Sequence, residues 1–138
     1  MYSGLKRCLL SLCVLSLALA AGCGSGDRPE LGDVSGRVTL DGKPLAGVEV
    51  LFGPEAGRTS AAMTDEDGYY TLHYLPDVEG AQLGKHRVVI QSYLEDESDP
   101  ETLANFVEII PSKYNTRSEL TAEVKEGSNT IDFPLESN

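Results

Sequence analysis

The sequence predicts an all-β fold, a sandwich of about seven short antiparallel strands, on three observations. Between Val34 and Leu75, short runs of alternating apolar and polar residues follow one another: V-S-G-R-V-T-L, A-G-V-E-V-L-F and Y-Y-T-L-H-Y-L. A period of two sends alternate side chains to opposite faces of a strand. The runs are punctuated by D-G-K-P, G-P-E-A-G and D-E-D-G, the residue types that turns demand. Further alternating runs at Gly84–Tyr93, Leu120–Val124 and Ile131–Leu135 extend the pattern over about 100 residues, the usual size of a sandwich domain. The chain of 138 residues has room for one such domain.

The first element is a leader. Lys6 and Arg7 precede an apolar run from Leu9 to Ala21. That run is short of the roughly 20 residues a membrane-spanning helix needs and has the form of a secretory signal. It closes on Leu19-Ala20-Ala21-Gly22-Cys23. This resembles the lipobox of bacterial lipoproteins, with Ala20 standing where that motif more often has Leu. The resemblance implies that residues 1–22 are a signal peptide, and that Cys23 is lipidated and becomes the mature N-terminus. An ordinary secretory signal cut near Ala21, with Cys23 incidental, is the plainer alternative. Residues 23–32, rich in Gly, Ser, Asp and Pro, read as a flexible tether. Gly24 rather than Asp follows the cysteine, which by the best-known sorting rule hints at the outer membrane.

The folded domain is expected over residues 33–138. Val34, Gly36, Val38 and Leu40 share the inner face of the first strand, and Asp41-Gly42 makes a tight turn. Pro44, which has no N–H, belongs at that turn or on an edge. Ala46, Val48, Val50 and Phe52 restore the alternation until Gly53-Pro54 ends it. Arg58–Thr64 is a weaker strand of small residues. Tyr70, Leu72 and Tyr74 face inward in the next, with Thr71 and His73 outward. Pro76–Leu83 reads as a loop, and Gly84–Tyr93 as a strong strand with Val88 and Ile90 inward. Leu94–Asn105 is an acidic insertion, expected to be mobile, in which Asp99 can cap and Pro100 can open a single helical turn. The predicted core is Val38, Val50, Leu72, Val88, Ile90, Val124 and Phe133.

Composition narrows the functions. With 22 Asp and Glu against 11 Lys and Arg, no basic patch can follow a phosphate backbone, so no nucleic-acid partner is expected. The three cysteines are Cys8, Cys13 and Cys23, so the folded part carries neither a disulfide nor cysteine chemistry.

Taken together, G-R-V-T-L-D-G-K-P-L-A-G-V-E-V and T-D-E-D-G-Y-Y-T-L resemble the carboxypeptidase regulatory-like domain. G-K-H-R-V-V-I, P-S-K-Y-N and S-E-L-T-A-E-V-K-E-G-S-N-T-I-D-F-P-L resemble the remaining segments of small bacterial lipoproteins carrying it. The resemblance implies a seven-stranded, Greek-key, transthyretin-like (prealbumin-like) sandwich on the cell envelope. It implies no catalytic residue set.

Candidate sites are few. Asp65, Glu66 and Asp67 offer oxygen ligands for Ca²⁺, but D-x-D-G is only a fragment of the EF-hand loop, and a hairpin corner wants the same residues. His73 and His86, the only histidines, could support zinc or acid–base chemistry. No H-E-x-x-H or Asp-Ser-His arrangement accompanies them. Transthyretin-related hydrolases of 5-hydroxyisourate share the fold, yet their C-terminus resembles Y-R-G-S where this chain reads L-E-S-N. Lys43, Glu49 and Asn129 raise an isopeptide bond like that of sandwich adhesins, but Lys43 falls in a turn and Glu49 on an outer face. Tyr69, Tyr74, Tyr93 and Tyr114 could stack sugars or peptides; packing at sandwich edges is the plainer role for Tyr74 and Tyr114. Glu95, Asp96, Glu97, Asp99 and Glu101 make the acidic insertion a candidate for a basic partner surface.

The resulting expectation is a non-enzymatic, extracytoplasmic lipoprotein held on the membrane by its anchor. It would bind an envelope protein or glycan without a cofactor or metal. The rival expectation is a transthyretin-related hydrolase or a calcium-binding adhesin-like module.

Overall fold

A computed structural model describes residues 28–138; the leader and Cys23 lie outside the described residues. The strands are β1 (Leu31–Leu40), β2 (Lys43–Pro44), β3 (Val48–Pro54), β4 (Ser60–Met63), β5 (Tyr69–Thr71), β6 (His73–Leu75), β7 (Val78–Glu79), β8 (Ala81–Gln82), β9 (Gly84–Ser92), β10 (Thr121–Val124), β11 (Ser128–Thr130) and β12 (Phe133–Leu135). One helix, α1 (Pro100–Asn105), and a 3-10 turn at Ser112–Tyr114 lie between β9 and β10. The strands form two sheets packed face to face, a β-sandwich.

One sheet is built around β1. Strands β8, β5 and β2 pair with it antiparallel, while β11 and β12 pair with it in parallel. The expectation of a purely antiparallel sandwich is therefore corrected. The chain leaves β10 in the opposite sheet, turns at Gly127 (φ 86°) and returns alongside β1 in the same direction. Ser35 shows the arrangement, lying opposite Thr71 on one neighbour and Thr130 on the other. The other sheet runs β10-β9-β3-β4-β6-β7, anchored by the long β3–β9 pairing from Val48↔Ser92 to Pro54↔His86.

Twelve strand segments replace the seven expected, for definite reasons. The Tyr70–Tyr74 run is two strands. β5 pairs with β1, then the chain changes sheets at Leu72, and β6 pairs with β4. Fully buried Leu72 sits at the crossing, its N–H donating to the Val34 carbonyl and its own carbonyl accepting from Gly80 N–H. The expected loop Pro76–Leu83 contains β7 and β8. β8 pairs with Leu31 and Gly32, so the fold begins two residues before Asp33 and takes the end of the presumed tether into β1. Ala46, expected inward, is exposed, and β3 starts at Val48.

The seven predicted core residues are all buried, joined by Val34, Val48, Phe52, Tyr70, Ile110 and Leu135 among others. Phe52 from one sheet meets Phe133 from the other edge-on, with ring centroids 6.0 Å apart. The Tyr70 hydroxyl donates to the Ile131 carbonyl at 2.5 Å, and burial raises its pKa above the usual phenol value. The Asp41-Gly42 turn has φ of 51° and 82°, the double positive φ of a tight hairpin. Pro44 sits in short β2 against the end of β1.

Candidate functional site

The acidic insertion is folded. Asp99 caps α1, its carboxylate accepting from Thr102 N–H at 2.9 Å and Thr102 Oγ1 at 2.5 Å, and Pro100 opens the helix. Asp96 accepts from Ser98 N–H and Oγ at 2.8 and 2.6 Å. These hydrogen bonds, from Ser98 and Thr102 respectively, hold both carboxyls below the ordinary Asp value. Two of the five candidate acids thus shape the insertion. The side chains of Glu95, Glu97 and Glu101 are exposed and accept no hydrogen bond among the described residues.

Beyond α1 the chain presents an apolar shelf that the sequence reading treated only as a short apolar segment. Leu103 is 50% exposed, Phe106 37%, Val107 70% and Ile109 57%, with Tyr93 beside them at 48%. Phe106 and Tyr93 border two concavities. One, of about 520 Å³, is lined also by Glu95, Asp99, Glu101 and Val107. The other, of about 400 Å³, is lined also by Glu49, Glu97 and Glu108. No Lys, Arg or His lines either. Every charged side chain that lines the two concavities is a carboxylate.

The shelf is fixed to the sandwich by side chains that stand in for a strand along the open edge of β9. Glu108 accepts from Ser92 N–H and Oγ, at 3.1 and 2.8 Å, and from Ile110 N–H at 2.8 Å. Buried Asn115 donates to the Ile110 carbonyl at 3.1 Å, and buried Ser118 donates to the Val88 carbonyl. Asn115 also reaches the Ile90 carbonyl at 3.5 Å, so the segment from Glu108 to Ser118, with P-S-K-Y-N inside it, covers the edge of β9. Such covers prevent unwanted pairing along a strand.

A further concavity, of about 540 Å³, lies on the outer face of the β3–β9–β10 sheet. Leu51, Gly53 and Val89 line it together with Lys85, Arg87 and Thr121. Gly53 leaves a gap between neighbouring strands, and Leu51 and Val89 contribute apolar side chains to it.

The remaining candidates do not assemble. Asp65 Oδ1 accepts from Asp67 N–H and Tyr69 N–H, both at 2.9 Å, and Arg37 Nε donates to the Asp67 carbonyl at 2.8 Å. Both residues build the β4–β5 turn. Among the described residues no three His, Cys, Asp or Glu lie close enough to hold a metal ion. His73 is on β6 and His86 on β9, with β4 and β3 between them; at the usual strand spacing their backbones are about 14 Å apart. His86 is 1% exposed against Phe52, its Nε2 donating to the Gln82 carbonyl at 2.6 Å while Nδ1 has no partner. Lys43 pairs with Leu40 at one end of β1 and Asn129 with Val34 towards the other. Asn129 donates to the Asp33 and Lys125 carbonyls, and Glu49 accepts from Gln91. Tyr69 lies under Arg37, and the Tyr114 hydroxyl accepts from Glu136 N–H, so each of these two has a local role.

No family model matches the chain, and no curated protein matches it. Among solved structures, the crystal structure of a DUF3823 family protein from Parabacteroides merdae ATCC 43184 is similar at 16% identity and a TM-score of 0.40. The similarity covers 79% of this chain and 46% of that one, so the chain spans under half the length of that protein. Among the described residues no helix is long and apolar enough to cross a membrane.

Proposed function

We propose that the protein is a lipid-anchored, extracytoplasmic binding module without enzymatic activity, a Greek-key, transthyretin-like sandwich of the carboxypeptidase regulatory-like kind. The anchor is Cys23, and the partner is an envelope protein. One observation carries the binding role: large apolar side chains at and beyond the end of α1 are exposed, beside two concavities whose only charged lining residues are carboxylates. Exposed apolar clusters with a polar rim mark interaction sites on soluble domains. A protein suits this surface because Leu103, Val107 and Ile109 add exposed aliphatic contact to the aromatic Tyr93 and Phe106.

The test is cross-linking of the full membrane-anchored protein at low and high salt. It compares the wild type with a variant carrying Glu95→Gln, Glu97→Gln and Glu101→Gln, whose carboxylates hold no part of the fold. The wild type should capture a partner in a salt-sensitive manner, and the variant should lose it. An unchanged partner set in the folded variant rejects the surface.

A further inference from the structure

The concavity on the outer face of the β3–β9–β10 sheet sets two cations beside apolar side chains, in a chain where acids outnumber bases two to one. Strand alternation puts them there. Val88 and Ile90 are buried on β9, and Val50 and Phe52 on β3. Lys85, Arg87 and Val89 therefore take the outer face of β9, and Leu51 and Gly53 that of β3. Leu51 pairs with Val89, while Gly53 and Thr121 flank Arg87 from either side. Among the described residues the one ion pair is His73 with Glu79, so neither cation has a carboxylate partner. Arg87 Nε donates to the Ser118 carbonyl at 3.1 Å. Its two Nη groups and the Lys85 ammonium donate to no protein group among the described residues.

We propose that this concavity binds a small aliphatic monocarboxylate. The Arg87 Nη groups and the Lys85 ammonium take its carboxylate, and its carbon chain lies over Leu51 and Val89 in the space beside Gly53. The site is separate from the shelf and does not rest on the binding role proposed there.

The chemistry of the lining selects this ligand. A guanidinium fork matches a carboxylate, and a fork already held through Nε loses less freedom on binding. The charges favour a monoanion. Glu55 also lines the concavity, and Glu123 stands opposite Lys85 on β10, so a phosphate dianion would meet two carboxylates. No Phe, Tyr or Trp lines the site, which favours an aliphatic body over an aromatic ring. Its volume, about 540 Å³, is within the range of small-molecule sites. Gly53 adds an independent sign. It is not among the glycines with positive φ. A Cβ there would meet Thr59 Oγ1 at 3.6 Å and the Arg87 carbonyl at 3.8 Å, both ordinary contacts. Neither backbone nor packing requires a glycine at this position. Glycine weakens a strand and often marks the close approach of a ligand.

The experiment titrates hexanoate into the isotope-labelled full-length protein in neutral detergent micelles and follows the backbone amide shifts by NMR. The amides of Gly53, Arg87, Val89 and Thr121 should shift saturably, with an apparent Kd that rises with salt. Hexanol keeps the chain without the charge, and acetate keeps the charge without the chain. Each should bind about tenfold more weakly or worse, and inorganic phosphate should bind more weakly than hexanoate. Arg87→Gln should weaken hexanoate by about tenfold while keeping a cooperative melt. Should that variant fold poorly, Lys85→Gln changes only an exposed side chain and should weaken it too. Gly53→Ala should weaken it by narrowing the concavity.

Hexanol binding as tightly as hexanoate overturns the proposal, because it marks an apolar patch only. Acetate or phosphate binding as tightly overturns it as a simple anion site. Unshifted amides at Gly53 and Arg87, or hexanoate binding that survives unchanged in both Lys85→Gln and Arg87→Gln, overturn it as well.

Discussion

Gly36 shows how much one residue can decide. A Cβ there would collide with the Ile131 carbonyl, the group that also accepts the Tyr70 hydroxyl. Gly36→Ala should therefore force β1 away from the Ile131 segment and cost about 1–3 kcal/mol, as overpacking does, seen as a lowered melting temperature. Gly53→Ala is the control. Its Cβ would lie 3.6 Å from Thr59 Oγ1, an ordinary contact, so it should fold normally while filling the outer-face concavity. Ser60 presents the opposite case. Its Oγ is buried in β4 without a partner, and an unsatisfied buried hydroxyl costs about 1–3 kcal/mol. Ser60→Ala should raise the melting temperature; a fall would show that the hydroxyl is satisfied in solution. The seven predicted core residues were legible in the sequence because each lies in a run with a period of two, whereas buried Ile110 lies outside any strand. Ser60, Glu108, Asn115 and Ser118 were not, because a lone polar residue carries no period.

At the scale of elements, local chemistry was legible and long-range pairing was not. Asp99-Pro100 announced the start of α1 because a cap and its helix are adjacent in sequence. The change of sheet at Leu72 was silent, since Tyr70 and Leu72 point inward whichever sheet holds them. The parallel return of β11 and β12 beside β1 was silent too, because side-chain alternation does not encode strand direction. The α1 cap gives a pH prediction. Hydrogen bonds from Thr102 to Asp99 hold its carboxyl below the ordinary Asp value. A depressed folded-state value means that the stabilisation is complete above the unfolded value and is lost as pH falls through the folded one. The helix should thus hold at neutral pH and loosen only in acid below the ordinary Asp range. Thr102→Val should bring the Asp99 carboxyl back towards that range in an NMR titration. An unmoved titration would show that the cap is not formed in solution.

For the whole molecule, stability and location separate cleanly. All cysteines precede residue 24, so the sandwich depends on apolar burial between its sheets. Val88, fully buried on β9, should cost about 2–4 kcal/mol on truncation to Ala, while a reducing agent should leave the melting temperature unchanged. The proposed location depends instead on residues the sandwich does not use. The described residues contain no helix able to span a bilayer. The exposed apolar shelf is a poor membrane contact, because the carboxylates around it oppose an anionic lipid surface. The proposed attachment is through Cys23. One acyl chain binds a membrane only marginally, and two or more hold it firmly. Mass spectrometry of the membrane fraction should find an acylated peptide beginning at Cys23. Cys23→Ala should move the folded protein into the soluble fraction with its melting temperature intact. Equal retention of wild type and variant on the membrane would mean that another surface, the shelf first among them, does the anchoring.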